Sequence, residues 1–595
     1  MRVHPNVCLV VVAALGLIVS SPSLHAIDSN PITVEYGVEA KMRDGTVLRA
    51  DVYRPKIEGS FPVLLERTPY NKSGSAGFAI KAATRGYIVV VQDVRGRYTS
   101  DGDWYPFKNE SNDGYDTVEW AASLPGANGK VGMFGGSYVG ATQMLTAVAH
   151  PPHLAGISPV VTASNYHDGW TYQGGAFEQW FNESWTSGLA QDTLNRSVEK
   201  NTNARNGMWK LPLTEYPLFP LPSAVSDSDL TRSLAPYFLD WLAHPNYDDY
   251  WKRLSIEERY SEINVPILHV AAWYDIFLGG SLRNYVGIKA HGASEAARQG
   301  QRLVVTIGGH AGSGRNIGDV DFGPAAEGDE DDPVLGWYDY LLKGAADPFT
   351  AGKPVKLFVM GANQWRDEQG WPLPQAREAK YFLHSGGKAN SLTGDGVLST
   401  AAPRAESADR YTYDPANPVP TIGGPLCCAS SRLKPGPRDQ RAAEARADVL
   451  VYSTPVLAQD FEVTGPIKVE LFASSSAADT DFTAKLVDVG PDGFAQNMTE
   501  GIIRARYRDS QEKPTLMNPG QIYKFALDVW ATSNVFRKGH RLRLEISSSN
   551  FPRFDRNANT GDDSASARHF LSATNIIYHD AEHPSALILP VVPTP

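Results

Sequence analysis

The stretch Gly129-Lys-Val-Gly-Met-Phe-Gly135-Gly136-Ser137-Tyr138-Val139-Gly140 constrains this chain more than any other. Val131 to Phe134 reads as a short buried strand. From Val139 to Ala149 the apolar side chains of Met144, Leu145 and Val148 recur at helical spacing. Between the two, Gly135-Gly136-Ser137 must turn sharply. A serine there takes a strained backbone, and flanking glycines let neighbouring segments approach closely. Strand, tight serine turn and helix together lift a serine hydroxyl clear of a sheet, where it can act as a nucleophile. The usual pattern has glycine two residues after the serine. Here Val139 holds that place and Gly140 stands one further on. On the motif alone, the competing reading is an ordinary glycine-rich strand-to-helix loop.

The rest of the chain supplies a sheet for this turn. Ile32 to Tyr53 alternates around the turn Arg43-Asp44-Gly45, as an antiparallel hairpin does. Phe61 to Glu66 is a strand, and Gly86-Tyr-Ile-Val-Val-Val-Gln92 is a continuous apolar run suited to a strand buried on both faces. A helical pattern over Tyr115 to Ser123 leads into the serine turn, and Leu154 to Val161 follows as the next strand. Alternating strands and helices predict an α/β fold with a largely parallel sheet. From Tyr166 to about Ser261 the chain turns aromatic and helical, an inserted cap. The α/β pattern resumes with strands Val265–Val270 and Arg302–Ile307. From Val355 on, short alternating strands such as Ile467–Phe472, Phe482–Val487 and His540–Ile546 predict a β-sandwich. The expected organisation is a signal segment over 1–26, a split α/β domain over 27–165 and 262–350, a helical cap over 166–261, and a C-terminal β-domain over 351–595.

Bulk properties narrow the partners. With 595 residues the chain exceeds one hydrophobic core. A formal net charge of −11 gives no basic face for a phosphate backbone, which excludes nucleic acid. Arg2, the apolar run Val7 to Val19 and the small residues ending at Ala26 form an export signal, too short to span a bilayer comfortably. Export to the periplasm or medium is expected, with no membrane association after cleavage. Beyond Cys8 in that leader, the cysteines are Cys427 and Cys428. Adjacent Cα atoms lie about 3.8 Å apart, closer than the usual disulfide span, so two semi-buried thiols are expected. The acidic run Glu327 to Asp332 lacks the alternating ligand spacing of a calcium loop and reads as a solvated loop. No metal or cofactor is expected.

A serine nucleophile needs a base, and the base an orienting acid. In α/β-hydrolases the chain order is serine, acid, histidine. The strand ending at Val270 runs into Trp273-Tyr274-Asp275, and the one ending at Ile307 into Gly308-Gly309-His310. Asp275 and His310 thus follow the carboxyl ends of strands, where such a sheet presents its site. Singly, Asp275 reads equally as a helix cap and His310 as a structural loop residue. Their order downstream of Ser137 makes the triad the better reading. An oxyanion hole takes donors aimed at the developing charge: the Tyr138 amide is one, and the Tyr70 hydroxyl, in the loop after Phe61–Glu66, is the candidate second.

The segments Arg67-Thr-Pro-Tyr70, Gly135-x-Ser137-Tyr138-x-Gly140 and Trp273-Tyr274-Asp275-x-Phe277 resemble the Xaa-Pro dipeptidyl-peptidase family, in particular its cocaine-esterase-like members. That resemblance implies an α/β-hydrolase domain, a helical cap and a C-terminal jelly-roll-like (galactose-binding-like) β-sandwich. It implies Ser137, Asp275 and His310 as the triad, with Tyr70 and Tyr138 as the oxyanion hole. It accounts for Val139, because the family pattern ends on glycine where Gly140 stands. Family members carry Gly-Pro-Trp-x-His before the base; Gly308-Gly309-His310 is shorter. The related amino-acid ester hydrolases carry carboxylates two and three residues after the acid, where this chain has Phe277 and Leu278. An apolar pair cannot neutralise a buried ammonium, so an uncharged aromatic or aliphatic acyl group is expected, packed on Phe277 and Leu278 with Trp185 and Trp170 of the cap. The turn Gly423-Gly-Pro-Leu-Cys-Cys428 is expected to bring the β-domain onto the catalytic face.

The expected activity is hydrolysis of a small-molecule ester by an acyl-enzyme mechanism. The alternatives are an Xaa-Pro dipeptidyl-peptidase or β-lactam acylase acting on an amide, and, in another class, an exported carbohydrate-binding protein without catalysis. The sequence leaves the oligomeric state open, a homo-oligomer included.

Overall fold

The computed structural model describes residues 32–196, 212–215 and 227–593, apart from positions 311, 330, 432 and 564. The signal segment read over 1–26 lies outside the described residues. Ten strands form the first sheet: β1 (Ile32–Lys41), β2 (Val47–Pro55), β3 (Phe61–Thr68), β4 (Ile88–Asp93), β5 (Ala127–Gly136), β6 (Leu154–Val160), β7 (Ile267–Tyr274), β8 (Gln301–Gly309), β9 (Val355–Val359) and β10 (Gln364–Glu368). Across the sheet they run β1-β2-β4-β3-β5-β6-β7-β8-β9-β10. From β4 to β9 every pairing is parallel, and β1, β2 and β10 add antiparallel edges.

Successive side chains of a strand point to opposite faces, so the sheet has a core on each side. One core takes Leu64, Val89 and Phe134 with helix α1 (Ala76–Thr84). The other takes Leu65, Val90 and Met133 with α2 (Glu110–Ala122) and α3 (Tyr138–Val148). That division explains why β4 is apolar at every position from Ile88 to Val91.

Between β6 and β7 the chain leaves the sheet. Helices α4 (Gln179–Arg196), α5 (Asp227–Leu234) and α6 (Pro236–Ala243) lie over the carboxyl ends of the strands, joined to the sheet's core through Phe107, Tyr138, Trp170, Trp185 and Trp241. After β7 comes α7 (Leu278–His291), and after β8, α8 (Asp331–Lys343), whose Leu335, Trp337 and Tyr338 cover the α1 side of the sheet. The acidic run read as a loop over Glu327 to Asp332 ends in the first turn of α8, and Lys81 on α1 makes ion pairs with Asp329, Asp331 and Asp332.

β9 departs from the expectation. Val355–Val359 read as the first strand of the β-domain, yet Leu303, Val304 and Val305 of β8 pair with Val355, Lys356 and Leu357. A short apolar run signals a strand without saying which sheet it joins. Two small hairpins stand apart, Tyr172–Gln173 with Ala176–Phe177 and Asn316–Ile317 with Val320–Asp321, and the C-terminal strands make a second, mainly antiparallel assembly, including Arg377–His384, Phe461–Ser475, Asp481–Val489, Ala495–Arg504, Tyr523–Phe536, Arg541–Ser547 and Ala586–Val592. The fold is thus an α/β-hydrolase sheet with a separate C-terminal β-rich domain. No described helix is long and apolar enough to cross a membrane.

The β-domain is bound to the cap by buried charge. Arg553 donates to Glu500 at 2.6 Å and to Gln173 at 2.9 Å, and it pairs with Glu178 at 3.4 Å. Its guanidinium also lies over the Phe554 ring, 4.7 Å from the centroid. Removing the guanidinium would leave buried Glu178 without its counter-charge, while Glu500 would keep Lys485 at 3.4 Å. Arg553→Ala is therefore expected to destabilise the protein by about 3–5 kcal/mol, read as a lowered urea midpoint followed by tryptophan fluorescence. A shift below about 1 kcal/mol, the range of surface pairs, would show that the cluster does not hold the joint.

Candidate active site

Ser137 sits between β5 and α3 with φ 62° and ψ −127°, a conformation costly for any residue with a side chain. The surroundings hold it there. Its amide donates to Val160 O at 2.9 Å, and its carbonyl accepts from Thr162 Oγ1 at 2.9 Å. Gln143, one turn into α3, donates to the Gly135 carbonyl at 2.9 Å and accepts from the Ser158 amide at 3.0 Å. Two glycines are fixed by contact. A Cβ on Gly135 would come within 2.4 Å of Val139 Cγ1, and one on Gly140 within 2.7 Å of Thr162 Cβ. The valine after the turn thus fills the space Gly135 leaves, while Gly140 makes the close approach.

Asp275 and His310 converge on this serine from two other strand ends. Asp275 follows β7 and is fully buried. One carboxylate oxygen accepts from the Phe277 amide at 2.9 Å, and the other lies 2.6 Å from His310 Nδ1. His310 Nε2 lies 2.9 Å from Ser137 Oγ. The geometry suits Nδ1–H donating to the carboxylate and the serine hydroxyl donating to Nε2. Burial pulls the His310 pKa down, but the charge and hydrogen bond of Asp275 outweigh it and leave it above the ordinary imidazole value. The short approach to His310 works because the chain folds back at once: Gly309 N donates to Gly312 O at 2.9 Å, and a Cβ on Gly308 would lie 2.3 Å from Gly312 O.

Tyr70 comes from the loop after β3. Arg97, itself fully buried, ties this loop to the cap by donating to Pro69 O at 3.0 Å and to Leu189 O on α4 at 2.9 Å. Tyr70 is 37% exposed as a whole, yet burial acts on its hydroxyl end. That hydroxyl accepts from the Trp185 indole at 3.0 Å and reaches the Ser137 side chain. Burial raises its pKa above the ordinary phenol value despite both hydrogen bonds, so it keeps a proton to donate. Tyr138 opens α3, where a first-turn amide has no partner within the helix.

The sequence assigned Tyr138 only its amide; the structure gives its side chain work as well. The hydroxyl accepts from the Phe107 amide at 2.8 Å and donates to Glu110 at 2.9 Å, and Glu110 in turn takes a 2.9 Å bond from buried Arg67. The ring stacks on Phe107 and on Trp185, with centroids 5.1 and 5.9 Å away. Charged Glu110 and Arg67 gave no period or spacing signal; only their side-by-side burial reveals the role.

The apolar candidates divide. Phe277 stacks on Trp170 at 4.5 Å and sets its edge against His310 at 5.1 Å. Trp170 meets Trp185 edge-on at 5.5 Å. Leu278 does not join them: it packs with Trp273, Tyr274 and the β-domain core. Helical geometry explains the split, since Phe277 precedes α7 and Leu278 opens it. From the β-domain, Cys427 joins the cluster containing Tyr138, Trp170, Trp185 and Phe277, with Cys428 packed at its edge. The turn at Gly423–Cys428 thus meets the catalytic face.

Comparison with known proteins agrees with this architecture. Residues 44–312 match the family described as X-Pro dipeptidyl-peptidase (S15 family), and residues 348–588 match the X-Pro dipeptidyl-peptidase C-terminal non-catalytic domain. The chain is 39% identical over 582 residues to the cocaine esterase of Rhodococcus sp. (strain MB1 Bresler), covering 95% of this chain and 100% of that protein. Among solved structures, an α-amino acid ester hydrolase superposes with a TM-score of 0.80 at 26% identity over 96% of this chain and 99% of the other. An aminopeptidase from the marine sediment archaeon Thaumarchaeota archaeon shares the fold at TM-score 0.82 and 24% identity, over 98% and 99% of the two chains. The chain therefore belongs to the X-Pro dipeptidyl-peptidase (S15) family, as a hydrolase of its cocaine-esterase-like branch.

Proposed function

We propose that the protein hydrolyses carboxylic esters of uncharged acyl groups through an acyl-enzyme on Ser137. The observation that carries this reading is the unbroken hydrogen-bonded line from Asp275 through His310 to Ser137. The Rhodococcus relative, a cocaine esterase, and the structural relative, an amino acid ester hydrolase, support ester chemistry. Neutral His310 takes the Ser137 proton as the hydroxyl oxygen attacks the ester carbonyl, and Asp275 steadies the imidazolium that forms. The Tyr70 hydroxyl and the Tyr138 amide hold the tetrahedral oxyanion. His310 then protonates the leaving alcohol, and water attacks the acyl-enzyme by the same route.

Specificity follows from the acyl-side surface. Phe277, Trp170 and Trp185 pack together beside His310, and Phe277, two residues after Asp275, puts an apolar ring rather than a carboxylate at this place. A substrate ammonium placed there would be desolvated without a counter-charge, which is costly. The same reading takes residues 1–26 as a leader removed on export, 166–261 as the cap, and 27–165 with 262–350 as the hydrolase domain, its sheet completed by β9 and β10 ahead of the β-domain.

Ser137→Ala is expected to abolish both aryl-ester turnover and labelling by a fluorophosphonate probe while far-UV circular dichroism stays unchanged; retained turnover overturns the nucleophile. On the intact protein, benzoyl or acetyl esters should exceed the matching phenylglycyl ester by about tenfold or more in kcat/KM, and preference for the amino ester would refute the neutral-acyl reading.

Tyr70→Phe removes a donor that acts as charge develops. It should lower kcat by about 10²–10³-fold with KM little changed; a rise in KM alone argues against the role.

Only neutral His310 can accept the serine proton, so kcat/KM falls as pH drops through its pKa. Because Asp275 raises that pKa, the midpoint of the acid limb should lie above about 6.5, the unperturbed histidine value. A wild-type midpoint at or below that value contradicts the assignment.

A further inference from the structure

Two adjacent thiols stand beside this centre with no part in acyl transfer. Cys427 Sγ and Cys428 Sγ lie 2.8 Å apart. Their backbone is pinned: the Trp180 indole on α4 donates to both carbonyls, at 3.2 Å to Cys427 and 3.1 Å to Cys428. Trp180 also packs with Leu426, Leu433 and Phe551, seating the turn on the cap. Cys428 holds a left-handed φ of 60°, rare for a residue with a side chain. With the main chain held at both carbonyls, the thiols are left facing each other. Cys427 is buried in the aromatic cluster at Tyr138, Trp185 and Phe277, and Cys428 is half-buried at its edge. Both thiols lie within electrostatic reach of Tyr70, and Cys428 within reach of His310.

We propose that Cys427 and Cys428 form a reversible redox site on the wall of the reaction centre, closing to a vicinal disulfide by exchange with small-molecule disulfides, and that closure slows acyl transfer at Ser137. The proposal rests on the ester-hydrolase reading above. Burial keeps the Cys427 thiol protonated, well above the ordinary thiol range, so the more exposed Cys428 leads. Its thiolate attacks one sulfur of R–S–S–R, forming a mixed disulfide and releasing one R–S⁻, which takes up a proton. Cys427 then loses its proton and attacks Cys428 Sγ, expelling the second R–S⁻. Two protein thiols are oxidised and one disulfide is reduced to two thiols. The new bond links residues whose Cα atoms lie about 3.8 Å apart, below the usual disulfide span, so it is strained and easily reduced. That suits a switch rather than a structural staple. Closing it rearranges side chains packed beside Trp185 and Phe277, and small displacements next to a reacting centre are costly in rate.

The test treats the full chain with glutathione disulfide, maps the peptide carrying both cysteines by mass, and follows aryl-ester turnover. Loss of about 2 Da on that peptide with a fall of about tenfold in turnover, both reversed by dithiothreitol, is the expected result. Cys427→Ser and Cys428→Ser, each compared with its own untreated activity, should show no such mass loss. Treated protein whose two thiols remain open to alkylation, or whose disulfide forms with turnover unchanged, overturns the proposal. Untreated protein without ester turnover would instead refute the reading of Ser137, so the two failures are distinguishable.

Discussion

The structure depends on a backbone held where a side-chain-bearing residue does not rest willingly. Ser137 at φ 62° and ψ −127° stays there because several elements converge on it: β6 through Val160 and Ser158, the following segment through Thr162, and α3 through Gln143. Each of these contacts also fixes the parallel sheet. β5 must lie between β3 and β6 for the turn to emerge at the carboxyl edge, and β7 and β8 must follow in order for Asp275 and His310 to reach it. Strain at one residue is thus paid for by the packing of a whole sheet.

A second layer stiffens this frame with charge kept away from the reacting atoms. Arg67, Glu110 and Tyr138 form a buried chain at the start of α3, and Arg97 fastens the Tyr70 loop to the cap. Such groups cost desolvation and return little net stability. What they return here is position: Tyr70, Tyr138 and Trp185 are set relative to one another by directional bonds and by ring stacking, not by apolar packing alone. Trp185 illustrates the coupling, since its ring stacks on Tyr138 while its indole N–H donates to the Tyr70 hydroxyl.

Much of this could be read from the sequence because it obeys short-range rules. The serine turn is announced by glycines, the central strands by apolar runs buried on both sides, and Asp275 and His310 by falling just past strands in the expected order. What escaped belongs to tertiary structure. Val355–Val359 has the pattern of a strand for either sheet, and only its pairing with β8 decides. Leu278 stood beside Phe277 in sequence, yet the start of α7 sends one side chain to His310 and the other into the second core. Arg67 and Glu110 carry no periodic signature at all. Their function appears only when both are found buried together under Tyr138.

The placement of β9 has a consequence for how such a protein can change over generations. The matched hydrolase region ends at residue 312 and the matched second region begins at 348, as if two modules could be exchanged. Yet β9 and β10 lie in the second region and close the first sheet beyond β8. A recombination that imported a foreign partner after β8 would strip hydrogen bonds from that strand and bare a parallel edge, the kind of edge that invites pairing with other chains. The first sheet is therefore complete only with the opening strands of the second region. A change at the turn around Cys427, in the region described as non-catalytic, would reach the aromatic cluster at Tyr138 and Phe277 without touching the serine, histidine or aspartate.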